Sequence, residues 1–448
     1  MKKQPLASYL KDWGVYLKAE TLRMFFLGFS AGLPPLLILG TLSFWLREAS
    51  IDLKTIGFFS WIGLVYAFKW VWAPMVDHIT LPLVGRLLGH RRGWLFFAQI
   101  GVALSLLGMG LSDPQQHLSF TILFALLTSF FSATQDISLD AYRIESSSIQ
   151  MHGALSAMYQ AGYRLAMIWA GAGAFALATF AAPETSAPYS YQAWRFAYFV
   201  MAASVLIGWV TVFFSPEPFK RQRQWSAELS VLGRLKQGFY APISDFFKRY
   251  QHVALLILLL ISCYRISDVM MGVMANPFYH DIGFSKEEVA WVSKVFGVVM
   301  TLLGAFIGGV ITMRLGVLKT LFLGAVLSSA TNVLFSVLAH IGHSIEFLMV
   351  TVSADNLAAG IASAAFVAYL SSLTNLSFSA TQYALFSSLM VLLPKGLAGF
   401  SGVMVEATDY STFFICTALI GIPVMLLIAY LMRKTPEINT PRREVGNE

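Results

Sequence analysis

The sequence Ser132-Ala133-Thr134-Gln135-Asp136-Ile137-Ser138-Leu139-Asp140-Ala141-Tyr142-Arg143 closes an apolar run that begins near Leu118. The run is long enough to cross a bilayer as a helix, because about 20 apolar residues span the hydrocarbon core. Asp136 and Asp140 are four residues apart and share one helix face. A carboxylate in hydrocarbon costs at least about 2.5–3.5 kcal/mol, so Asp136 should face a cavity or a partner. We interpret Asp136 as functional; the alternatives are a packing ion pair for Asp136 and simple solvation for Asp140.

The composition defines the class of protein. The chain has 448 residues, of which 57% are hydrophobic and 12% charged, and its mean hydropathy is +0.66. Soluble proteins carry about 25% charged residues. Its two cysteines lie in apolar runs without metal-ligand spacing, so we expect neither a metal nor a cofactor. The sequence predicts an all-α membrane protein.

Twelve apolar runs are candidate spans, and a polar segment divides them six and six. We expect an N-terminal segment (1–21), a first half (22–214), a linker with an amphipathic helix (215–251), a second half (252–432) and a tail (433–448). The predicted spans are 22–45, 55–75, 94–111, 118–140, 153–180, 194–214, 252–275, 288–313, 318–340, 346–373, 382–404 and 411–432.

Lysine and arginine are distributed unevenly between the two sides. If the N-terminus is cytoplasmic, most of the 31 Lys and Arg residues lie in cytoplasmic segments, and the outer segments hold Arg47, Lys54, Arg195 and Lys286. This asymmetry predicts cytoplasmic termini. Attraction to an anionic leaflet also explains the net charge of +7, so nucleic-acid binding is not expected.

Two six-span halves joined by a cytoplasmic loop indicate the major facilitator fold, in which two repeats enclose a site near the membrane midplane. Asp77 and the sequence Gly89-His90-Arg91-Arg92-Gly93 lie between spans two and three, and Arg314-Leu315-Gly316 occupies the matching place in the second half. We predict that Asp77, Arg91, Arg92 and Arg314 form a charge clasp between the halves. The alternative is ordinary positive charge on the cytoplasmic side.

Ionisable groups inside the spans need partners or water. We predict an inner cluster of Lys69, Asp136 and Arg164 with Asp140 below it, and an outer cluster of Arg265, Asp268 and Lys294. Gln135 lies beside Asp136, and Asp355 and Asn356 lie near the membrane midplane. Tyr66 and Tyr159 could stack on sugars, although packing is the more common role of an aromatic side chain. The candidate substrate-binding residues are Tyr66, Lys69, Gln135, Tyr159, Arg164, Arg265, Lys294, Asp355 and Asn356. These cations suit an anionic substrate, and Asp136, Asp140 and Asp268 suit proton coupling.

The sequence resembles the AmpG muropeptide permeases, a branch of the major facilitator superfamily. The resemblance extends over nearly the whole chain and includes the segments Gly28-Phe29-Ser30-Ala31-Gly32-Leu33-Pro34, Gln135-Asp136-Ile137, Gly162-Tyr163-Arg164 and Ser377-Phe378-Ser379-Ala380-Thr381-Gln382-Tyr383. It implies proton-driven import of N-acetylglucosaminyl-1,6-anhydro-N-acetylmuramic acid and its peptides across the bacterial inner membrane. It also implies roles in peptidoglycan recycling and β-lactamase induction, and we expect a monomer.

Other functions fit the sequence less well. The eight histidines are scattered, and no nucleophile–base pair or Walker loop is recognisable, so we expect neither an enzyme nor an ATP-driven pump. A receptor would not need buried charges in both halves. Within transporters, the alternative is an acetyl-coenzyme A or other organic-anion carrier.

Overall fold

The structure is a computed structural model that describes residues 14–51, 60–182, 189–218, 233, 236–284, 286–289, 291–292, 296–398 and 400–434. Regular structure in these ranges is helical. The first half contains α1 (Ala19–Ile38), α2 (Gly40–Glu48), α3 (Leu64–Phe68), α4 (Ala73–His78), α5 (Val84–Leu88), α6 (His90–Gly110), α7 (Pro114–Glu145), α8 (His152–Ile168), α9 (Ala174–Ala181), α10 (Tyr191–Ser204) and α11 (Leu206–Phe214).

The linker and second half are also helical. They contain α12 (Ala241–Tyr250), α13 (Ala254–Cys263), α14 (Ile266–Asp281), α15 (Lys286–Val289), α16 (Gly297–Leu315), α17 (Val317–Ile341), α18 (Ile345–Leu373), α19 (Ser379–Ala398), α20 (Ser401–Ala407) and α21 (Tyr410–Lys434). Short 3-10 or π-helical turns join several of these helices, at Gly14–Leu17, Ser60–Gly63, Lys69–Val71, Ile149–Met151, Trp169–Gly173, Lys236–Tyr240, Gln251–Val253 and Leu376–Phe378.

Eleven helical segments of the described chain are long and apolar enough to cross a membrane. They correspond to every predicted span but the second. The described part of that span consists of α3, α4 and short 3-10 turns, and residues 52–59 lie outside the described residues. The helices confirm the predicted fold class of two six-helix halves.

Local sequence signals define several helix ends. Asp113 precedes α7, and its carboxylate accepts a hydrogen bond from the Gln115 N–H at 3.0 Å. Pro114 occupies the first helical position, where a proline costs no hydrogen bond. Gly89 before α6 and Gly316 before α17 have φ angles of 98° and 88°, a region that favours glycine. The two halves therefore repeat the same turn before their third spans.

The halves meet at the end of the bundle where residues 215–251 connect them, which we call the linker side; the opposite end is the far side. Gly153 of α8 packs against Gly309 of α16, so the helix backbones approach closely. The Tyr16 hydroxyl donates a hydrogen bond to the Phe306 carbonyl at 2.5 Å. A second apolar contact joins the halves through Ala73, Val76, Ile137, Ala141, Ala380 and Ala384.

The described part of the linker ends in α12, which lies against span eleven. Phe246 of α12 is buried beside Phe386, with ring centroids 5.2 Å apart. Arg249 pairs with Asp245 at 3.0 Å and also donates to the Gln382 side chain at 3.1 Å. The predicted amphipathic segment 224–250 is thus helical at its C-terminal end, and most of residues 219–235 lie outside the described residues.

Candidate substrate and proton site

Several ionisable side chains in the middle of the spans retain contact with solvent. Arg164 of α8 is exposed, and Asp136 of α7 is half-buried. Tyr163 interacts electrostatically with both of them, and Arg164 also lies within range of the Arg265 charge in the other half. These side chains therefore lie near one another where the two halves meet, and we call the region between the halves that they border the cleft.

Asp136 lies within this cleft without a full set of hydrogen bonds. Its Oδ1 atom is buried and has no hydrogen-bond partner among the described residues. Tyr66 and Tyr159, both half-buried, lie near enough to interact electrostatically with it. A buried carboxylate oxygen without a donor is a free acceptor for a ligand that donates a hydrogen bond.

A charged network lies one helical turn below Asp136. The Lys69 ammonium is 3.8 Å from the Asp140 carboxylate, and the Arg143 guanidinium is 3.0 Å from the same carboxylate. Lys69 and Asp140 are both buried. The predicted inner cluster is thus partly assembled: Lys69 pairs with Asp140 rather than Asp136, and Arg164 forms no salt bridge with the other described residues.

The reason for this arrangement is helix geometry. Asp136 and Asp140 share a face of α7, and Lys69 belongs to the 3-10 turn Lys69–Val71, which breaks the second span beside the lower carboxylate. Arg164 of α8 is exposed, and hydration can replace an ion pair for an exposed guanidinium.

The second half contributes two carboxylates that interact with each other. Asp268 of α14 accepts a hydrogen bond from the Ser328 hydroxyl and feels the charge of Arg265, three residues earlier. The Thr331 hydroxyl donates to Asp355 at 3.2 Å, and Asp268 lies within electrostatic range of Asp355. The predicted pairing with Lys294 falls outside the described residues.

Two predicted substrate residues lie in helix packing in this conformation. Gln135 is fully buried, and its amide donates to Ser30 at 3.1 Å. Asn356 accepts from the Thr301 hydroxyl at 2.8 Å and donates to the Val352 carbonyl at 2.9 Å. Both side chains hold spans together, and the structure does not bring them to Arg164 or Asp136.

The linker side carries an ion-pair network that includes two of the predicted clasp residues. Arg91 pairs with Asp77 at 2.7 Å and with Glu145 at 2.6 Å. Asp77 accepts hydrogen bonds from the backbone N–H groups of Ala380 and Thr381, at 3.1 and 2.8 Å, in the first turn of α19. Unpaired N–H groups and the helix dipole favour an anion there. Asp77 thus binds the first half to the second.

Arg92 and Arg314 have other positions. The Arg92 guanidinium donates to the Val212 and Phe213 carbonyls, at 2.9 and 2.7 Å, and so caps α11 within its own half. Arg314 is exposed in the last turn of α16. Arg92 is held by the end of α11, and no ion pair between Arg314 and Asp77 is present among the described residues.

Three residues of this region escaped sequence reasoning. Glu145 and Ser379 complete the network around Arg91. Glu217 of the linker accepts hydrogen bonds from the Arg91 and Arg92 N–H groups, at 2.8 and 3.1 Å, and caps α6. Burial raises the pKa of the Glu217 carboxyl although these hydrogen bonds oppose the shift. The acidic residue between Pro216 and Pro218 was the available signal.

The chain is similar to known transporters over most of its length. It is 34% identical to the anhydromuropeptide permease of Escherichia coli K12 over 92% of this chain and 80% of that protein. This chain belongs to the AmpG family of the major facilitator superfamily. It is 32% identical to "Putative transporter AmpG 4" of Rickettsia conorii, over 92% of this chain and 96% of that one.

Two further comparisons agree with the superfamily and the fold. The Major Facilitator Superfamily profile matches residues 257–447. The fold is similar to that of the E. coli fucose:proton symporter FucP, with a TM-score of 0.67 and 14% identity over 92% of this chain and 97% of FucP. The relatives are transporters, so the AmpG-family chain is a multi-pass transport protein, and the predictions of the family and of a non-enzymatic function are confirmed.

Proposed function

We propose that this AmpG-family transporter imports N-acetylglucosaminyl-1,6-anhydro-N-acetylmuramic acid and its peptides for peptidoglycan recycling, together with protons, by alternating access. The name of the E. coli relative supports the substrate class. The observation that carries the proposal is that Arg164 lies within electrostatic range of Arg265 of the other half, near the incompletely bonded Asp136.

The chemistry of this cleft suits a muropeptide. Peptide carboxylates would bind between Arg164 and Arg265, since guanidinium groups favour carboxylates. Tyr66 and Tyr159 offer aromatic faces and hydroxyls for the sugars, and each is only half-buried. A substrate that contacts cations of both halves would draw them together, as alternating access requires.

The charge distribution supports the direction of transport. The positive-inside rule assigns the termini and the linker side to the cytoplasm. The linker side is closed by Asp77, Arg91 and the start of α19. We propose that substrate enters from the far side, which we assign to the periplasm of a bacterial inner membrane. We propose a monomer as the working unit, because both halves of the cleft belong to one chain.

Proton coupling rests on the buried carboxylates. Asp136 and Asp140 lie on one face of α7, near the cleft and Lys69, and Asp268 lies in the second half, where the Ser328 hydroxyl donates to it. A carboxylate that alternates between a dry and a wet environment changes its proton affinity. Proton binding from the periplasm and release into the cytoplasm would then drive substrate import.

The test is uptake of labelled disaccharide and its tripeptide into energised inner-membrane vesicles, with and without a protonophore. Vesicles from cells that lack the chain are the control. Uptake that collapses with the proton gradient supports the proposal. Uptake that ignores the gradient would preserve the substrate but assign the carboxylates to scaffolding. Absent uptake with folded protein present would reject the substrate, and coenzyme A thioesters would be assayed next.

A further inference from the structure

A cavity of about 310 Å³ lies at the far side of the first half, where α2, α9 and α10 come together. Tyr189, the neighbour of the lining residue Ser190, donates a hydrogen bond at 2.8 Å to Asp113, which caps the far-side start of α7. Small-molecule sites occupy about 300–1,000 Å³. None of the described residues that line this cavity belongs to the proposed substrate or proton site.

Three aromatic rings from three helices form one wall of the cavity. The ring centroid of Phe44 in α2 lies 4.8 Å from that of Phe175 in α9 and 6.2 Å from that of Trp194 in α10. Phe175 and Trp194 are 6.0 Å apart at an interplanar angle of 84°. The face of an aromatic ring attracts cations, so this wall favours a positively charged group.

Glu48 places a carboxylate beside the aromatic wall. The Trp194 indole N–H donates to Glu48 Oε2 at 2.6 Å, and Trp194 is only 2% exposed, which holds the half-buried carboxylate against the rings. No salt bridge among the described residues includes Glu48. A carboxylate has about four acceptor positions. Glu48 therefore keeps an unbalanced negative charge and can accept further hydrogen bonds from a cation.

Two hydroxyl groups line the same cavity. Thr179 of α9 is exposed, and Ser190 is the N-cap of α10, where its Oγ accepts a hydrogen bond from the Ala193 N–H at 3.4 Å. An accepting hydroxyl still has its own O–H to donate. The cavity thus combines an acceptor for a cation with donors for an anion, which is the complement of a zwitterionic ligand.

The surroundings of the cavity indicate that such a ligand comes from the bilayer. Phe180, which follows Thr179, is 84% exposed, and Phe44 is 50% exposed, so apolar surface at the end of these spans faces lipid. Tyrosine and tryptophan are enriched at the level of the lipid headgroups, and Tyr189, Tyr191 and Trp194 lie together at the start of α10. The cavity therefore lies at the headgroup layer of the far-side leaflet.

We propose that this cavity binds a phospholipid whose headgroup ends in a primary ammonium group. The ammonium pairs with the Glu48 carboxylate beside the aromatic wall. The phosphodiester accepts hydrogen bonds from Thr179 and Ser190, and the acyl chains continue along the exposed side of Phe180. The bound lipid joins the ends of spans one, five and six. This site is additional to the proposed transport function and does not depend on the substrate.

The experiment measures lipid binding to the purified full-length protein in detergent by native mass spectrometry. Phosphatidylethanolamine is compared with phosphatidylcholine, whose quaternary ammonium has no N–H donor, and with phosphatidylglycerol, which has no ammonium. We expect the apparent affinity of the first bound lipid to decrease in that order. Wild-type protein that binds phosphatidylglycerol as tightly as phosphatidylethanolamine would overturn the proposal.

Glu48→Gln keeps an acceptor for the Trp194 indole but removes the charge. Its affinity for phosphatidylethanolamine should fall about tenfold or more, because a hydrogen bond to a charged group is lost. Its affinity for phosphatidylglycerol should not fall. Glu346→Gln is the matched control, since Glu346 is an exposed far-side acid in the first turn of α18. An unchanged preference in Glu48→Gln, or an equal loss in Glu346→Gln, would contradict the site.

Phe44→Leu tests the site independently if Glu48→Gln does not fold. It keeps apolar bulk at an exposed position but removes one ring of the wall, so it should weaken binding of both ammonium lipids and leave phosphatidylglycerol unaffected. Soluble O-phosphoethanolamine carries the same polar groups without acyl chains, and it should displace the lipid poorly. Displacement as efficient as that by phosphatidylethanolamine would overturn the assignment to a lipid.

Discussion

The Asp77 carboxylate accepts two hydrogen bonds from Thr381, one from its backbone N–H at 2.8 Å and one from its hydroxyl at 2.6 Å. The two residues belong to opposite halves, so this contact exists only while the linker side is closed. Arg91 keeps the carboxylate in place at 2.7 Å. Asp77 therefore belongs both to the most buried ion pair of the clasp, with Arg91, and to a contact between the halves, with Thr381.

Asp77→Ala should shift the protein toward an open linker side. Removing one member of a buried pair costs about 3–5 kcal/mol, and Arg91 would retain only Glu145. Spin labels at Ser148 and Lys319, exposed residues of opposite halves, in a Cys263→Ser, Cys416→Ser background would report the width of the linker side by pulsed electron spin resonance. The distance between them should lengthen. Asp113→Ala is the matched control, because Asp113 caps α7 at the far side. An unchanged distance in Asp77→Ala would show that apolar packing alone holds the halves together.

Asp136→Asn should prevent the accumulation of substrate against its gradient but leave the exchange of substrate across the membrane intact. Asparagine keeps the shape and can donate to a substrate, but it cannot carry a proton through the cycle. Uphill uptake of labelled disaccharide should fall at least about tenfold, while counterflow exchange in reconstituted vesicles should persist. Asp113→Asn, which preserves a helix cap outside the cleft, should retain both activities. Full uphill uptake by Asp136→Asn would exclude this residue from coupling.

The fold could be predicted because hydropathy and charge act locally along the chain. Spans need about 20 apolar residues, and glycines at matching places reveal the repeated turn, as Gly89 and Gly316 confirm. The predicted Asp77–Arg91 contact has the same origin, since a short loop connects the two residues.

The partners of Arg143 could not be predicted, because they depend on how two distant halves meet. A count of residues from the end of α7 places Arg143 near the membrane surface, yet Ser371 and Tyr383 bury it completely. Gln135 lies deep in the span, yet it does not reach the cleft as its neighbour Asp136 does. Successive residues of a helix point in different directions, so the Gln135 side chain packs against Ser30. Depth in the membrane does not specify the direction of a side chain.

Arg164→Ala and Arg265→Ala should each weaken uptake of peptide-bearing substrate through KM. A hydrogen bond to a charged group contributes about 1.5–3 kcal/mol, so KM should rise about 10- to 100-fold. The disaccharide without peptide should be affected less, since it has fewer carboxylates. Arg195→Ala is the control, because Arg195 stacks on Phe199 of its own helix, 5.3 Å from the ring centroid. Equal losses for both substrates would assign the arginines to folding rather than to carboxylate binding.

Gly309→Val should prevent closure of the linker side without unfolding either half. A Cβ atom at Gly309 would lie 2.5 Å from the Tyr16 hydroxyl and 3.1 Å from the Gly153 carbonyl, and both neighbours belong to the first half. Overpacking of this kind costs about 1–3 kcal/mol, which lowers the closed population about 5- to 100-fold, and transport should fall accordingly.

Gly272→Val is the matched control for this substitution, because a Cβ atom at Gly272 has no neighbour within 4 Å. A further variant tests the cause of the Gly309 effect. Tyr16→Phe removes the hydroxyl that lies nearest to a Cβ atom at position 309. Combining Tyr16→Phe with Gly309→Ala should therefore restore part of the uptake that Gly309→Ala alone loses. If Gly309→Ala and the double variant transport equally well, the close approach of α8 and α16 does not limit the cycle.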